Sequence, residues 1–336
     1  MITPTIPSRQ PKRVAWSRER LQRERAIALG QAIDNSTWNT YGSALNSYLS
    51  FVRNHDFPVD PTPNTLSFFT VYMCHHIKPK SVDSYLSGIC HQLEPYFPEV
   101  RKARSSTLVQ RTLQGCMRLR GQPPSRKRAL TLDDLGTVIS HYCTSTAHDD
   151  LLFLTIITTG FFALMRLGEL SFPDNIALRD WRKVTKCSSV ELTTNYYSFF
   201  LPTDKADHIF EGHKIIVMAK QVRHNPLLLF TNYLRARDLA FPLASPLWLT
   251  SAGQVPTRSF FIRRLRLFFK NDVAGQSMRA GGATSLAENG APPSIIQGMG
   301  RWSSETFNIY VRKSPVLIHA LILARTISED TYNHSP

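Results

Sequence analysis

Apolar residues recur at helical spacing through most of the first 120 positions. In "STWNTYGSALNSYLSFVRNH" they place Trp38, Tyr41, Leu45, Tyr48, Leu49 and Val52 along one helical face, with Ser36 as the expected N-cap. The turn "FPVDPTP" separates this helix from "NTLSFFTVYMCHHI". Pro79 opens a third, "KSVDSYLSGICHQLEPYF", which Pro95 and Pro98 close. A fourth, "STLVQRTLQGCMRLRG", ends at Gly121. Upstream, "RERLQRERAIALGQAI" is helical in pattern, whereas residues 1–19 are basic, proline-containing and weakly periodic and are expected to form a disordered arm. The pattern predicts a compact domain of four or five helices over residues 20–121.

"QPPSRKRAL", residues 122–130, has two prolines and no periodicity and is expected to be a linker. A helix restarts after it, with Thr131 as N-cap and Asp133 and Asp134 in the first turn. One apolar helix is expected over 150–170. "SSVELT", "YYSFFLP" and "HKIIVMAK" have β character, and "TDKADHIFEG" between the last two predicts a hairpin. Everything else to the C-terminus is helical in pattern with short loops. The fold class is mainly α with a small β-sheet: a helical N-terminal domain followed by an α+β domain over 131–336.

An apolar content of 42% with 19% charged residues is ordinary for a soluble globular protein. The longest apolar stretches, "LLFLTIITTGFFALM" and "VLIHALILA", are too short to span a bilayer and read as buried helices. The N-terminal residues lack the pattern of a signal peptide. Cys74, Cys90, Cys116, Cys143 and Cys187 are an odd set without a CxxC pair, which fits a reduced intracellular protein and does not fit zinc.

Charge changes the picture. Forty Lys and Arg against 25 Asp and Glu give a net +15, of which +11 falls in residues 1–128. Between Arg101 and Thr131 stand nine basic residues and no acid: Arg101, Lys102, Arg104, Arg111, Arg118, Arg120, Arg126, Lys127 and Arg128. Such a surface suits a polyanion, most commonly nucleic acid, and a solvated basic helix is the structural alternative. A membrane surface fits less well, because no strongly apolar face accompanies the basic residues.

Three segments carry candidate chemistry. In "TGFFALMRLGEL", Arg166 is expected inside an apolar helix, where an unpaired guanidinium is costly; it must meet an anion or a carboxylate, and Glu169 is three residues on. In "GQSMRAGGATSLAENG", Arg279 opens a helix whose small residues permit close backbone approach and whose N-terminus favours a phosphate. In "MGRWSSETFNIYVRKSP", a turn at Gly300 leads into a helix capped by Ser303 or Ser304, which carries Tyr310 one turn beyond Phe307.

In this order, with key residues 113 and 31 positions apart, the three segments resemble the motifs of the tyrosine recombinase (phage integrase) family. The flavour is closest to recombinases of eukaryotic mobile elements of the DIRS or Crypton kind. The resemblance covers residues 20 to about 325 and implies a helical core-binding domain ahead of a catalytic domain. It implies that Tyr310 is the nucleophile, that Arg166 and Arg279 clamp the scissile phosphate, and that Lys205 is the general acid. Lys214 is the runner-up for that role, less suited because it lies within the following strand. The expected activity is site-specific DNA breakage and rejoining through a 3′-phosphotyrosyl intermediate. It needs no cofactor, metal or ATP, in keeping with the absence of a GxxxxGK[ST] loop.

Two positions depart from the family pattern. Gln276 stands in place of a histidine, and glutamine cannot accept the tyrosine proton. Nine residues before Tyr310, where the family has His or Trp, this chain has Arg301, with Trp302 one residue later. Either Trp302 fills the role through a shifted loop or Arg301 supplies a further cation. The departures keep a second function in view, a recombinase-derived DNA-binding protein impaired in cutting. A type IB topoisomerase-like relaxation would use the same residues, but the small size and the core-binding domain argue against it. The expected partner is double-stranded DNA, with no membrane and no small-molecule substrate. "SPVLIHALILARTISED" either packs on its own domain or passes to a neighbouring copy in a homotetramer. The expected compartment is the nucleus in a eukaryotic host and otherwise the cytoplasm.

Overall fold

The computed structural model describes residues 13–123, 127–205, 207, 209–220, 225–303 and 318. They divide into two compact units, Met1–Pro124 and Ser125–Pro336.

The first unit is helical: α1 (Arg18–Gly30), α2 (Asn35–Asn54), α3 (Pro63–His76), α4 (Pro79–Leu93), α5 (Val100–Ser105) and α6 (Thr107–Arg120). The expected four or five helices become six among the described residues, because the short α5 is set off from α6. The α2 cap is Asp34, not Ser36. The Asp34 carboxylate accepts from the Thr37 amide at 2.8 Å and from Ser36 Oγ at 2.7 Å, so the serine serves the cap instead of forming it. These bonds hold the Asp34 carboxyl below its usual range.

Tyr48, Phe51, Leu66, Phe69, Val82, Leu86, Ile89 and Val109 form the core of this unit. Of the stripe read from α2, Tyr48 and Val52 are buried, but Trp38 is about half exposed, its ring edge-on to His91. Gly88 lets α4 pack on α2: a Cβ there would lie 2.8 Å from the Tyr41 ring and 3.0 Å from Ala44 Cβ.

The second unit contains α7 (Leu132–Tyr142), α8 (His148–Phe162), α9 (Leu167–Leu170), β1 (Glu191–Leu192), β2 (Tyr196–Leu201), β3 (His213–Met218), α10 (Pro226–Ala240), α11 (Arg258–Leu265), α12 (Gln276–Glu288) and α13 (Pro293–Gly300). Thr131 and Asp134 cap α7 reciprocally, each side chain accepting the other's amide. The three strands pair antiparallel in the order β1-β2-β3. Tyr197 opposite Val217 and Phe199 opposite Ile215 turn one face of the sheet into the core. Tyr197 stacks on Phe230 of α10 with centroids 3.9 Å apart. Among the described residues, no helix is long and apolar enough to cross a membrane.

Two expectations change here. The single helix over 150–170 is broken: α8 ends at Phe162, and Leu164 is left-handed (φ 51). The Met165 amide then bonds the Gly160 carbonyl at 3.0 Å and the Leu164 amide that of Phe161 at 3.4 Å, the two bonds of a Schellman closure. Leucine occupies the position that glycine usually takes, so the stop carries no compositional signal. The second change is at the interdomain segment, whose last residues belong to the second unit. The Arg128 amide bonds the Asp272 carbonyl, the Leu130 amide bonds that of Ser277, and Leu130 is buried.

α12 rests closely on the end of α8 and on Leu130, just before α7. A Cβ on Gly282 would meet the Phe161 carbonyl oxygen at 1.9 Å, and one on Gly281 the Leu130 oxygen at 1.8 Å. Backbone atoms cannot yield as a side-chain end can. Gly282→Ala is therefore expected to cost the second unit roughly 1–3 kcal/mol. Gly115→Ala, inside α6 with open space around it, should instead stabilise by about 0.5–1 kcal/mol. Urea unfolding of both variants beside the parent chain checks the pair.

Candidate active site

Arg279 lies in the first turn of α12 and is buried against the α8–α9 break. Its Nη1 donates to the Leu164 carbonyl at 3.1 Å and its Nη2 to the Gly300 carbonyl at the end of α13. The Trp302 ring covers the guanidinium, with Cζ 4.4 Å from the ring centroid. Gly300 is required for this stack, since a Cβ there would come within 2.1 Å of the same ring. Gly275 has a similar role at the other end. It packs against Leu167, so close that a Cβ would sit 2.6 Å from its Cδ2, and this brings the start of α12 against α9.

Arg166 is the extended residue that caps α9, not part of a continuous apolar helix. Glu169 meets it twice, accepting from the Arg166 amide at 2.9 Å and from Nη1 at 2.8 Å. The i,i+3 pairing expected from the sequence is therefore present. Arg166 keeps 32% of its side-chain surface, against 7% for Glu169. Its Nε and Nη2 form no hydrogen bond among the described residues.

Arg301 closes the cluster from α13. Its Nη2 donates to Glu169 Oε2 at 2.9 Å, and its Nε lies 3.6 Å from Asp204 Oδ2. The Asp204 side chain is almost wholly buried, and His213 Nε2 also approaches it, at 3.5 Å. Arg166 and Arg301 thus share Glu169, Arg301 also approaches Asp204, and Arg279 bonds the backbone carbonyls beside them. Burial, followed by the Arg166 charge and more weakly that of Arg301, pushes the Arg279 guanidinium down to about 9, while the Glu169 and Asp204 carboxylates oppose the shift. It remains cationic at neutral pH, in a group of three guanidiniums, its own included, and two carboxylates among the described residues.

The other predicted residues are distributed as follows. Gln276 is exposed at the first position of α12, one turn before Arg279. Lys205 is exposed in the β2–β3 connection, directly after Asp204. Lys214 lies on β3 and is committed to Glu191 at 2.6 Å. Arg301 and Trp302 are both at the cluster, with different partners. Tyr310 and Ser304 lie outside the described residues. Asp204 and the carbonyls of Leu164 and Gly300 were not anticipated; for Asp204, its place beside Lys205 in the quoted turn was the available signal.

The acid-free basic stretch is less free in space than in sequence. Arg101 pairs with Glu94 at 2.6 Å, Lys102 with Glu99 at 3.4 Å and Arg104 with Asp83 at 2.9 Å. Arg120 contacts His75 at 2.8 Å. In the second unit Lys127 donates to the Asn271 carbonyl, while Arg128 bonds Asp272 at 2.7 Å and also pairs with Asp134. Arg111 and Arg118 are exposed and form no ion pair among the described residues. Arg126 lies outside them. Within the described residues no cluster of His, Cys, Asp or Glu is arranged to hold a metal ion.

No protein-family model and no curated protein matches the sequence. Solved structures do match the fold. XerH site-specific recombinase, in a post-cleavage complex with palindromic difH substrate, aligns over 87% of this chain and 79% of its own, with 16% identity and a TM-score of 0.59. A dimer of lambda integrase residues 75–356 bound to a COC′ core site aligns over 86% of this chain and 93% of its own, with 13% identity and a TM-score of 0.56. The Tn1549 transposon integrase with transposon right end DNA aligns over 85% and 98%, with 13% identity and a TM-score of 0.51. At these identities the likeness is one of fold, and the fold of this chain is that of the tyrosine recombinases.

Proposed function

We propose that the protein is a site-specific tyrosine recombinase that breaks and rejoins double-stranded DNA. The observation that carries this reading is the convergence of Arg166 and Arg279, 113 positions apart, at one cation-rich site of this fold. Phosphoryl transfer builds charge on the non-bridging oxygens, and planar guanidiniums match those oxygens with paired hydrogen bonds. Among the described residues the Nε and Nη2 of Arg166 have no hydrogen-bond partner, while Glu169 holds Nη1.

In this reading Tyr310 supplies the nucleophile. A phenol ionises near pH 10, so at neutral pH it needs help to lose its proton. Its oxygen bonds to phosphorus as the bond to the 5′-oxygen breaks, and Lys205 protonates the leaving oxygen. The phosphotyrosyl ester conserves the bond for rejoining, so neither ATP nor metal is consumed. Residues 20–121 serve as the core-binding domain and 131–336 as the catalytic domain, acting on DNA as a homotetramer linked by the C-terminal segment. The source is a DIRS- or Crypton-like element, active in the nucleus of a eukaryotic host.

A second reading is a DNA-binding protein that no longer cuts. It is favoured by Gln276, which occupies the exposed start of α12 where a histidine would accept the tyrosine proton.

Covalent trapping separates the two readings. With a nicked, randomised duplex library and a denaturing quench, the parent chain should retain DNA and Tyr310→Phe should retain none. Salt-sensitive binding without an adduct would establish the second reading. Gln276→His should speed adduct formation, on the order of a hundredfold if proton removal limits the rate. An unchanged rate would show that the missing base does not limit cutting. Affinity should also fall steeply with salt. Arg111→Ala and Arg118→Ala should each lower the slope of log K against log salt by about 1.

A further inference from the structure

Lys205 is exposed, but the residue before it is not. Eleven residues separate Leu201 of β2 from His213 of β3. Their far side is organised locally by Asp207, whose carboxylate accepts from the amides of Ile209, Glu211 and Gly212. Asp204, on the near side, instead meets the arginine cluster. Its side chain keeps 2% of its surface, with Oδ2 3.6 Å from Arg301 Nε. Arg301 in turn donates to Glu169 Oε2, and the other Glu169 oxygen accepts from Arg166. An alternating chain of charges, Arg166–Glu169–Arg301–Asp204, therefore runs from the start of α9 through the end of α13 to the residue that precedes Lys205.

Arg301 reaches both carboxylates from a left-handed backbone, φ 50 and ψ 44, directly after Gly300. That conformation is costly for an arginine and persists only where surrounding contacts fix it. Its side chain keeps 10% of its surface. A buried ion pair of this kind adds little net stability, since desolvation offsets the attraction; its better-attested use is to fix one arrangement against others. Among the described residues, Arg301 and, at 3.5 Å, His213 are charged groups that face Asp204.

We propose that Arg301 and Asp204 form a tether that holds the β2–β3 connection to the arginine cluster, making Asp204 the positioning residue for Lys205. The role assigned to Lys205 rests on the function proposed above; the tether does not. It gives Arg301 a purpose in place of the family's His or Trp, as a scaffold that reaches across to the turn of the proton donor. During cleavage the Tyr310 oxygen bonds to phosphorus, its phenolic proton passes to solvent, the P–O5′ bond breaks, and the Lys205 ammonium protonates the departing oxygen. A loose turn would leave that last proton misplaced.

Two measurements test this. Hydrogen exchange on the full chain, without DNA, reads the tether alone. Asp204→Asn should raise exchange in 202–212 and in 298–303 together while α10 stays unchanged. Loosening of the turn alone, or of neither segment, overturns the tether. The second measurement uses the duplex recovered by trapping, made with either oxygen or sulfur at the 5′ bridging position, because a thiolate departs without a proton. Asp204→Asn should cut the oxygen duplex on the order of tenfold more slowly than the parent chain. The sulfur duplex should restore it to near the parental rate, as it should for Lys205→Ala. An equal defect on both duplexes overturns the positioning role and leaves Asp204 merely structural. If the parent chain yields no Tyr310-dependent adduct, the proposed function fails and takes the role of Lys205 with it, while hydrogen exchange still decides the tether.

Discussion

The backbone contact of α12 with α8 determines where Arg279 can be. At Gly281 and Gly282 the helix rests directly on the carbonyls of Leu130 and Phe161, at distances that admit no side chain. The first turn of α12 is thereby pressed toward the end of α8, and Arg279 must find its partners there, in the Leu164 and Gly300 carbonyls. The break in α8 follows the same logic. Had the helix continued through residue 166, the Leu164 carbonyl would be spent within it, and Arg166 would not stand extended at the edge of the site. The left-handed Leu164 turns the chain and frees both groups.

The electrostatics then build on that placement. Guanidiniums crowded into a poorly solvated site repel one another, and two buried carboxylates only partly answer them. Arg279 shows the residual strain, being pushed well below its ordinary value though not far enough to discharge at neutral pH. Because its value is lower folded than unfolded, stability from this group would rise only in strongly alkaline solution, above about 9. At neutral pH the cost is fully present, and a bound anion relieves it.

Local rules read most of the elements correctly and failed where the deciding partner is distant. The capping box at Thr131 and Asp134, the proline-opened α4, the two long strands and the Arg166–Glu169 pair all involve residues within a turn or so of each other. The end of α8 was missed because leucine does not announce a left-handed turn. The basic stretch from Arg101 to Arg128 was read as a bare cationic surface because its acids sit elsewhere. Glu94 and Asp83 lie upstream, and Asp272 arrives from 144 positions downstream. Arg111 and Arg118 are left as the clearer candidates for a phosphate backbone. The core of the site behaved similarly. Its arginines are legible in their motifs, whereas the partner that gives Asp204 its place, Arg301, lies 97 positions away.

The contacts also bear on whether Arg301 or Trp302 takes the place of the family's His or Trp. A guanidinium free to bind a phosphate must keep an edge unoccupied. Arg301 keeps 10% of its side-chain surface, with Nη2 donating to Glu169 and Nη1 3.4 Å from the Met299 carbonyl. Its Nε, 3.6 Å from Asp204 Oδ2, is buried and makes an ion pair without a hydrogen bond. Trp302 covers one face of Arg279, excluding water from the cation while leaving its charge in place. The contacts place the Trp302 ring on Arg279 and the Arg301 side chain beside Glu169 and Asp204. The departure one residue before Trp302 is then an addition to the site, with the β2–β3 turn as the element it secures.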